Sequence, residues 1–102
     1  MTDPRLTKLA KLLIEYSCRL KRGDRILIEV IDVPDEFAVE LMRATRKVGA
    51  IPIIEVRHSR ITREIIRDTN EKHAALVSRI ELARMKKVQA YLCQYYIEYI
   101  VY

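Results

Sequence analysis

The hydrophobic positions follow two alternating spacings along the chain, and these spacings predict helices separated by strands. In residues 3–22, leucines recur three and four positions apart, which predicts a helix that the following glycine ends. Residues 25–31 are an almost unbroken apolar run, typical of a strand buried on both faces of a parallel sheet. The helical spacing returns over residues 34–48, which predicts a second helix, again ended by a glycine.

The second half of the chain continues the alternation. Residues 51–56 predict a second strand, and a short helix over 59–67 precedes a long one over 71–88. A final apolar segment, 90–102, is interpreted as a strand. Strand–helix–strand units with short loops form right-handed crossovers in parallel sheets. We therefore predict one α/β domain over residues 1–102, layered, with a small, mostly parallel sheet flanked by helices.

Length and composition limit the compartment and the number of domains. A chain of 102 residues suits a single domain. No apolar leader follows Met1, and no run approaches the roughly 18 apolar residues of a membrane span, so we expect the cytoplasm and no membrane partner. There, Cys18 and Cys93 should stay reduced. Asparagine and glutamine are scarce beside abundant Lys, Arg, Glu and Ile, which is typical of thermophilic chains.

Few classes of catalytic site fit this sequence. Its only two glycines, Gly23 and Gly49, are both needed at helix ends, so the glycine-rich phosphate loops are excluded. No serine or cysteine lies in a nucleophile elbow, and Cys18 and Cys93 are interpreted as small apolar fillers. We expect no catalytic residue and no bound cofactor in this chain.

Two side chains are weak candidates for metal ligands. Asp32 follows the first predicted strand and His58 follows the second, so both should lie at the carboxyl edge of a parallel sheet, where ligands gather. Metal sites need more donors than these two. The interpretation favoured here is a solvated loop histidine beside an acidic helix cap.

The net charge of +5 is compatible with an anionic partner, and one local run of basic residues is the candidate contact. A phosphate-binding face is one hypothesis, and a solvated face paired with neighbouring acids is the favoured one, because no aromatic residue interleaves the run. Nucleic acid is accordingly the least favoured partner. The possible anion contacts are Arg57, Arg60, Arg63 and Arg67.

The C-terminal segment holds five of the six tyrosines with only one charged residue, Glu98. Tyrosines can stack nucleic-acid bases, but so apolar a strand is better explained by pairing with a second copy of itself. We therefore expect a homo-oligomer. The candidate self-association residues are Tyr91, Tyr95, Tyr96, Ile97, Tyr99 and Ile100.

A series of short segments, in order along residues 1–91, gives the chain a family resemblance. They are Asp3-Pro4-Arg5-Leu6, Lys8-Leu9-Ala10, Leu12-Leu13, Tyr16-Ser17, Gly23-Asp24-Arg25-Ile26-Leu27-Ile28-Glu29, Gly49-Ala50-Ile51-Pro52, Leu82-Ala83-Arg84-Met85 and Ala90-Tyr91. Together they resemble the N-terminal domain of the thermophilic, leucyl aminopeptidase-like metallo-aminopeptidases of the aminopeptidase T and aminopeptidase S type. Residues 92–102 diverge from that family as a tyrosine-rich strand.

The resemblance implies a role without chemistry. Family members are two-domain exopeptidases with two metal ions, zinc or cobalt, whose glutamate, histidine and aspartate ligands lie in the C-terminal domain. It therefore implies an isolated or truncated N-terminal domain that contributes to assembly and to the substrate chamber. The alternatives are a stand-alone α/β module that self-associates through its C-terminal strand and, less favoured, a basic nucleic-acid-binding module.

Overall fold

The computed structural model describes residues 3–67 and 69–95, and its elements follow the predicted order. The helices are α1 (Pro4–Leu12), α2 (Asp35–Lys47), α3 (Ser59–Arg67) and α4 (Glu71–Met85). A π-helical turn, Leu13–Ser17, continues α1. The strands are β1 (Arg25–Ile31), β2 (Ile51–Arg57) and β3 (Ala90–Tyr95). None of the helices in these ranges is long and apolar enough to cross a bilayer.

The strands of the described part form one parallel sheet in the order β2-β1-β3. Register places Glu29 of β1 opposite Glu55 on one side and Cys93 on the other. The predicted α/β class, a single layered domain with a small parallel sheet flanked by helices, is confirmed. The sheet is wholly parallel in the described residues, and β2 and β3 form its two edges.

One face of the sheet carries the hydrophobic core. Helices α1 and α2 pack on it, and alternate residues of β1 point into it. Phe37 and Leu41 are fully buried there because they lie four residues apart on the apolar side of α2. The buried members of this core are Ala10, Ile14, Ile26, Ile28, Val30, Phe37 and Leu41.

The central strand is buried on both faces, as its unbroken apolar run predicts. Residues 26–30 are all buried, including Leu27 and Glu29 on the face away from α1 and α2. Both ends of the strand are tied to neighbouring loops. Gln89 closes one end with two hydrogen bonds to Arg25: the Arg25 N–H donates to its side-chain oxygen at 2.7 Å, and its own N–H donates to the Arg25 carbonyl at 2.9 Å.

The element boundaries differ from the sequence predictions by one residue for α2 and β2, and by more at the ends of the first and last helices. The first helix ends at Ser17, because the Cys18 N–H bonds the Leu13 carbonyl at 3.0 Å and Arg19 then turns left-handed with φ 48°. Leu20, expected on that helix, still packs against the core from the following loop. Helix α4 ends three residues early. The part of the predicted last strand beyond Tyr95 lies outside the described residues.

Candidate functional site

The second face of the sheet carries an ion-pair cluster instead of an apolar core. Arg57, the last residue of β2, lies on this face, and its Nε donates to Glu29 Oε1 at 2.7 Å. The same guanidinium reaches Glu55 Oε1 at 3.3 Å. Since the Glu29 side chain keeps only 11% of its surface exposed, its charge is compensated mainly by Arg57.

Helix α4 joins this cluster through two side chains one turn apart. Arg84 contacts Glu55 at 2.6 Å and Glu81 at 2.8 Å, and Glu81 lies 3.6 Å from Arg57. Two guanidiniums therefore meet three carboxylates. We name this set the ion cluster: Glu29, Glu55, Arg57, Glu81 and Arg84.

The ion cluster shifts the pKa of Glu55 and of the neighbouring Tyr91. Partial burial alone raises the pKa of Glu55, but the hydrogen bond from Arg84 and the charges of Arg57 and Arg84 outweigh it, so that its pKa lies below the ordinary value. Burial, followed by the hydrogen bond to Glu29, raises the pKa of Tyr91, whose hydroxyl donates to the Glu29 carboxylate. The ion pairs stabilise one another, so the cluster acts as a clamp between α4 and the sheet.

One residue of the predicted basic run, Arg57, belongs to the ion cluster. Arg57 points to the carboxylates of the second face, whereas Arg60, Arg63 and Arg67 lie on α3, where Arg67 is 3.9 Å from Glu64. This clamp was not predicted from the sequence. Its only signal was an acid, Glu29, inside an otherwise apolar strand, which predicts a buried partner of opposite charge.

The carboxyl ends of β1 and β2 bring the two weak metal candidates together. Asp32 Oδ1 accepts a hydrogen bond from the Ser59 N–H at 3.1 Å and lies 3.8 Å from His58 Nδ1. Hydrogen bonding from Ser59, with the charges of His58 and Arg63, lowers the pKa of Asp32. In the described residues no third histidine, cysteine or acid joins them, so this pair does not fit the donor set of a zinc or cobalt site. It fits the acidic cap of α3 that was favoured from the sequence.

A shallow groove of about 400 Å³ opens beside this pair. Its walls are mostly apolar: Ile31 at the end of β1, Tyr95 at the end of β3 and Ile66 on α3. Tyr95 and Tyr91 are both exposed on β3, an edge strand in the described part, as the self-association hypothesis requires. The other predicted self-association residues, Tyr96, Ile97, Tyr99 and Ile100, lie outside the described residues.

Neither a protein-family model nor a curated protein matches this chain. The resemblance to the metallo-aminopeptidase N-terminal domain therefore stays a prediction. The fold and the uncovered surfaces are the observations that constrain function.

Helices α3 and α4 leave many apolar side chains uncovered. Of the residues described in these helices, nine in α3 and fifteen in α4, none is buried. Large aliphatic side chains are exposed on both, with Ile65 at 51% and Ile80 at 54% of their full surface. In the described residues, the ion pairs that join these helices to the sheet are those of the ion cluster. Exposed apolar surface of this kind is typical of a protein contact.

Proposed function

We propose that this chain is a non-catalytic assembly domain of the metallo-aminopeptidase type, contributing to assembly and to the walls of a substrate chamber. The observation that carries the proposal is the pair of helices α3 and α4, which expose aliphatic side chains and bury none in the described residues. One face of the sheet has a complete core and the other does not. A domain so built is expected to be completed by another body of protein, in the cytoplasm.

The chemistry of the described residues supports a role in assembly over one in peptide hydrolysis. Metal-assisted hydrolysis needs several ligands and an open coordination position. Asp32 and His58 approach each other at 3.8 Å, but the described residues supply no further donor there. In this proposal the metal ions and the peptide-cleaving groups belong to a second domain, as the family resemblance implies.

The absence of activity can be measured directly. The purified full chain is incubated with aminoacyl-p-nitroanilide substrates and added Zn²⁺ or Co²⁺, and the release of nitroaniline is followed. We expect no release above that of metal alone. Turnover that survives repurification and disappears with a chelator would contradict the non-catalytic part of the proposal.

The family part of the proposal has a separate test in the gene. We expect the DNA after the Tyr102 codon to encode, in some reading frame, a second domain rich in glutamate, histidine and aspartate ligands. If no frame encodes such a domain, the aminopeptidase assignment fails and a stand-alone module is the better conclusion.

The exposed edge strand β3 favours a second candidate, self-association. Tyr95 keeps 65% of its surface exposed at the end of this strand. Unpaired strand edges pair readily with another copy. Sedimentation of the full chain should then show a dimer that Tyr95→Lys dissociates, whereas Ile53→Lys on the other edge strand leaves it intact. A monomer at all concentrations would exclude this candidate.

A further inference from the structure

The geometry points to a docking site for an acidic, amphipathic helical segment of a protein partner along α3 and α4, next to the end of β2. We call this site the α3–α4 surface and define it by Ile61, Ile65, Leu76, Val77 and Ile80. It deepens the assembly role proposed above, and it rests on the uncovered helices but not on the aminopeptidase resemblance.

These helices need a covering partner for their own stability. Isolated helices shorter than about 12–15 residues are marginal in water, and most helices in proteins are held by packing of an apolar face. Helix α3 has nine residues and no buried side chain in the described part. On α4, Leu76, Leu82 and Met85 point to different sides and none of them is buried, so no single apolar face packs this helix against the sheet.

Four of the five aliphatic side chains line two grooves on these helices. Ile61 and Ile65 of α3 and Val77 of α4 line the same groove, of about 280 Å³, at the end of β2. Ile80 lies three residues after Val77 and four after Leu76, so it is a neighbour of both on α4. A second groove of about 290 Å³ follows, lined by Ile80 and by the stem of Lys87.

The available area fits a segment better than a whole domain. Burying one aliphatic side chain completely removes on the order of 60–120 Å² of apolar surface, so five half-exposed ones offer roughly 150–300 Å². Each half of a standard interface contributes about 450 Å² of apolar surface. A single helix laid along the two grooves matches the smaller figure, as in other helix-in-groove complexes.

The positive charge of the α3–α4 region indicates that the partner is acidic. Residues 59–88 contain eight Lys and Arg against four Asp and Glu, whereas residues 1–58 contain eleven against nine. In the described ranges, Arg60, Lys72, Arg79 and Lys87 form no ion pair. Lys87 lines the second groove with Ile80, and the other three lie on α3 and α4 within one helical turn of Ile61, Leu76 or Ile80 in sequence. Two such surfaces from two copies would repel each other, whereas acidic side chains flanking an apolar stripe would be attracted.

The shape and composition of the surface favour protein over the other anionic partners. Grooves receive the side chains of a helix, whereas a bilayer is best met by apolar side chains that project from the surface. Single-stranded nucleic acids stack on aromatic rings, and residues 59–88 contain no Phe, Tyr or Trp.

The test uses a synthetic probe of about 20 residues, a helical peptide with leucines at i, i+3, i+4 and i+7 and glutamates elsewhere. Its matched control carries lysine in place of every glutamate. Binding of each labelled peptide to the full chain is measured by fluorescence anisotropy, at about 0.05 M and 0.15 M salt. We expect saturable binding of the acidic peptide that weakens with salt, and none of the basic one.

Variants locate the contact. Ile80→Glu should weaken binding at least about tenfold, whereas Val39→Glu, a similarly exposed position on α2, should not change it. Replacing Lys72 and Arg79 together by glutamate should transfer the preference to the basic peptide, which a merely unfolded variant cannot do. Amide hydrogen exchange should slow in α3 and α4 when the acidic peptide is bound.

Each other occupant gives a result that overturns the inference. Equal binding of the two peptides would show a non-specific apolar surface. Tighter binding to phosphatidylglycerol vesicles, or to single-stranded DNA, than to the acidic peptide would assign the surface to lipid or nucleic acid. A dimer that Ile80→Glu dissociates would assign it to a second copy. None of these results depends on the peptidase assay or on the gene sequence after Tyr102.

Discussion

At Asp32 the backbone adopts φ 57°, in the left-handed region that residues other than glycine seldom occupy. Aspartate tolerates this region because its short side chain can bond locally. Here the carboxylate accepts the Ser59 N–H at 3.1 Å, and the Asp32 N–H donates to the Arg57 carbonyl at 3.1 Å. This one residue therefore ends β1 and holds the first turn of α3.

Substitutions of Asp32 should separate its backbone role from its side-chain role. Asp32→Ala loses both the acceptor and the tolerance of a positive φ, so we expect a lower urea midpoint. Asp32→Asn keeps both and should stay close to the parent. Unfolding followed by circular dichroism measures the midpoints, and equal values for the two variants would contradict this account.

The pairing of Glu29 with Arg57 gives a second prediction at the residue scale. Arg57→Met leaves the nearly buried Glu29 carboxylate uncompensated, and we expect a loss of about 2–4 kcal/mol in the free energy of unfolding. Removing both charges with Glu29→Leu and Arg57→Met should recover most of it, because Arg84 still pairs with Glu55 and Glu81. Additive losses in this double-mutant cycle would argue against the pairing.

At the scale of elements, the hydrophobic spacing predicted the type and the bounds of each element better than it predicted where that element packs. The bounds of β1 were predicted to the residue and those of α3 closely, since turn and cap residues flank both runs. The end of the first helix was wrong because Leu20 reaches the core from a loop, and periodicity alone cannot distinguish that from a helical turn. For α4 the spacing predicted a helix, but not that its apolar side chains stay exposed.

Two helices of similar composition should respond differently to the same truncation. Phe37→Ala on α2 removes a fully buried side chain, and we expect a loss of about 3–5 kcal/mol in the free energy of unfolding. Leu76→Ala on α4, where half of the surface is already exposed, should cost less than about 1 kcal/mol. Chemical denaturation of both variants gives the comparison, and similar losses would mean that α4 packs more tightly than described.

The candidate site was predictable only in part. The placement of Asp32 and His58 at one edge followed from two parallel strands, whereas their approach to 3.8 Å could not be predicted. The ion cluster did not follow, because it depends on the register that sets Glu29 opposite Glu55 and on α4 crossing that face. Neither register nor crossing can be derived from residue spacing.

For the whole molecule, the carboxylates determine how stability varies with pH. The pKa of Glu55 and that of Asp32 are lower in the folded chain than their ordinary values of 4.5 and 3.8. As pH falls, the unfolded chain therefore binds protons at these two carboxylates before the folded chain does. The stabilisation from Glu55 and Asp32 is complete above their ordinary pKa values and is lost as pH falls below them. The raised pKa of Tyr91 has the opposite sign, so its contribution is lost above its ordinary value of 10.0.

The lowered pKa values predict that stability is constant near neutral pH and falls at acid pH. Glu55 should contribute part of this fall, which we call the acid limb. The urea midpoint should be constant near pH 7 and fall below about pH 4.5. Glu55→Gln should lower the midpoint near neutral pH and make the acid limb shallower. An acid limb of unchanged slope in that variant would show that other carboxyl groups determine it.

The position of β3 in the sheet also has a kinetic consequence. Strands β1 and β2 and the helix between them lie within residues 25–57, and the pairing of Arg25 with Ile51 spans 51 − 25 = 26 residues, whereas the pairing of Ile26 with Ala90 spans 90 − 26 = 64 residues. We expect β1, α2 and β2 to be formed in the folding transition state and β3 to join after it. In stopped-flow experiments, Leu41→Ala should then slow refolding, whereas Leu92→Ala should mainly speed unfolding.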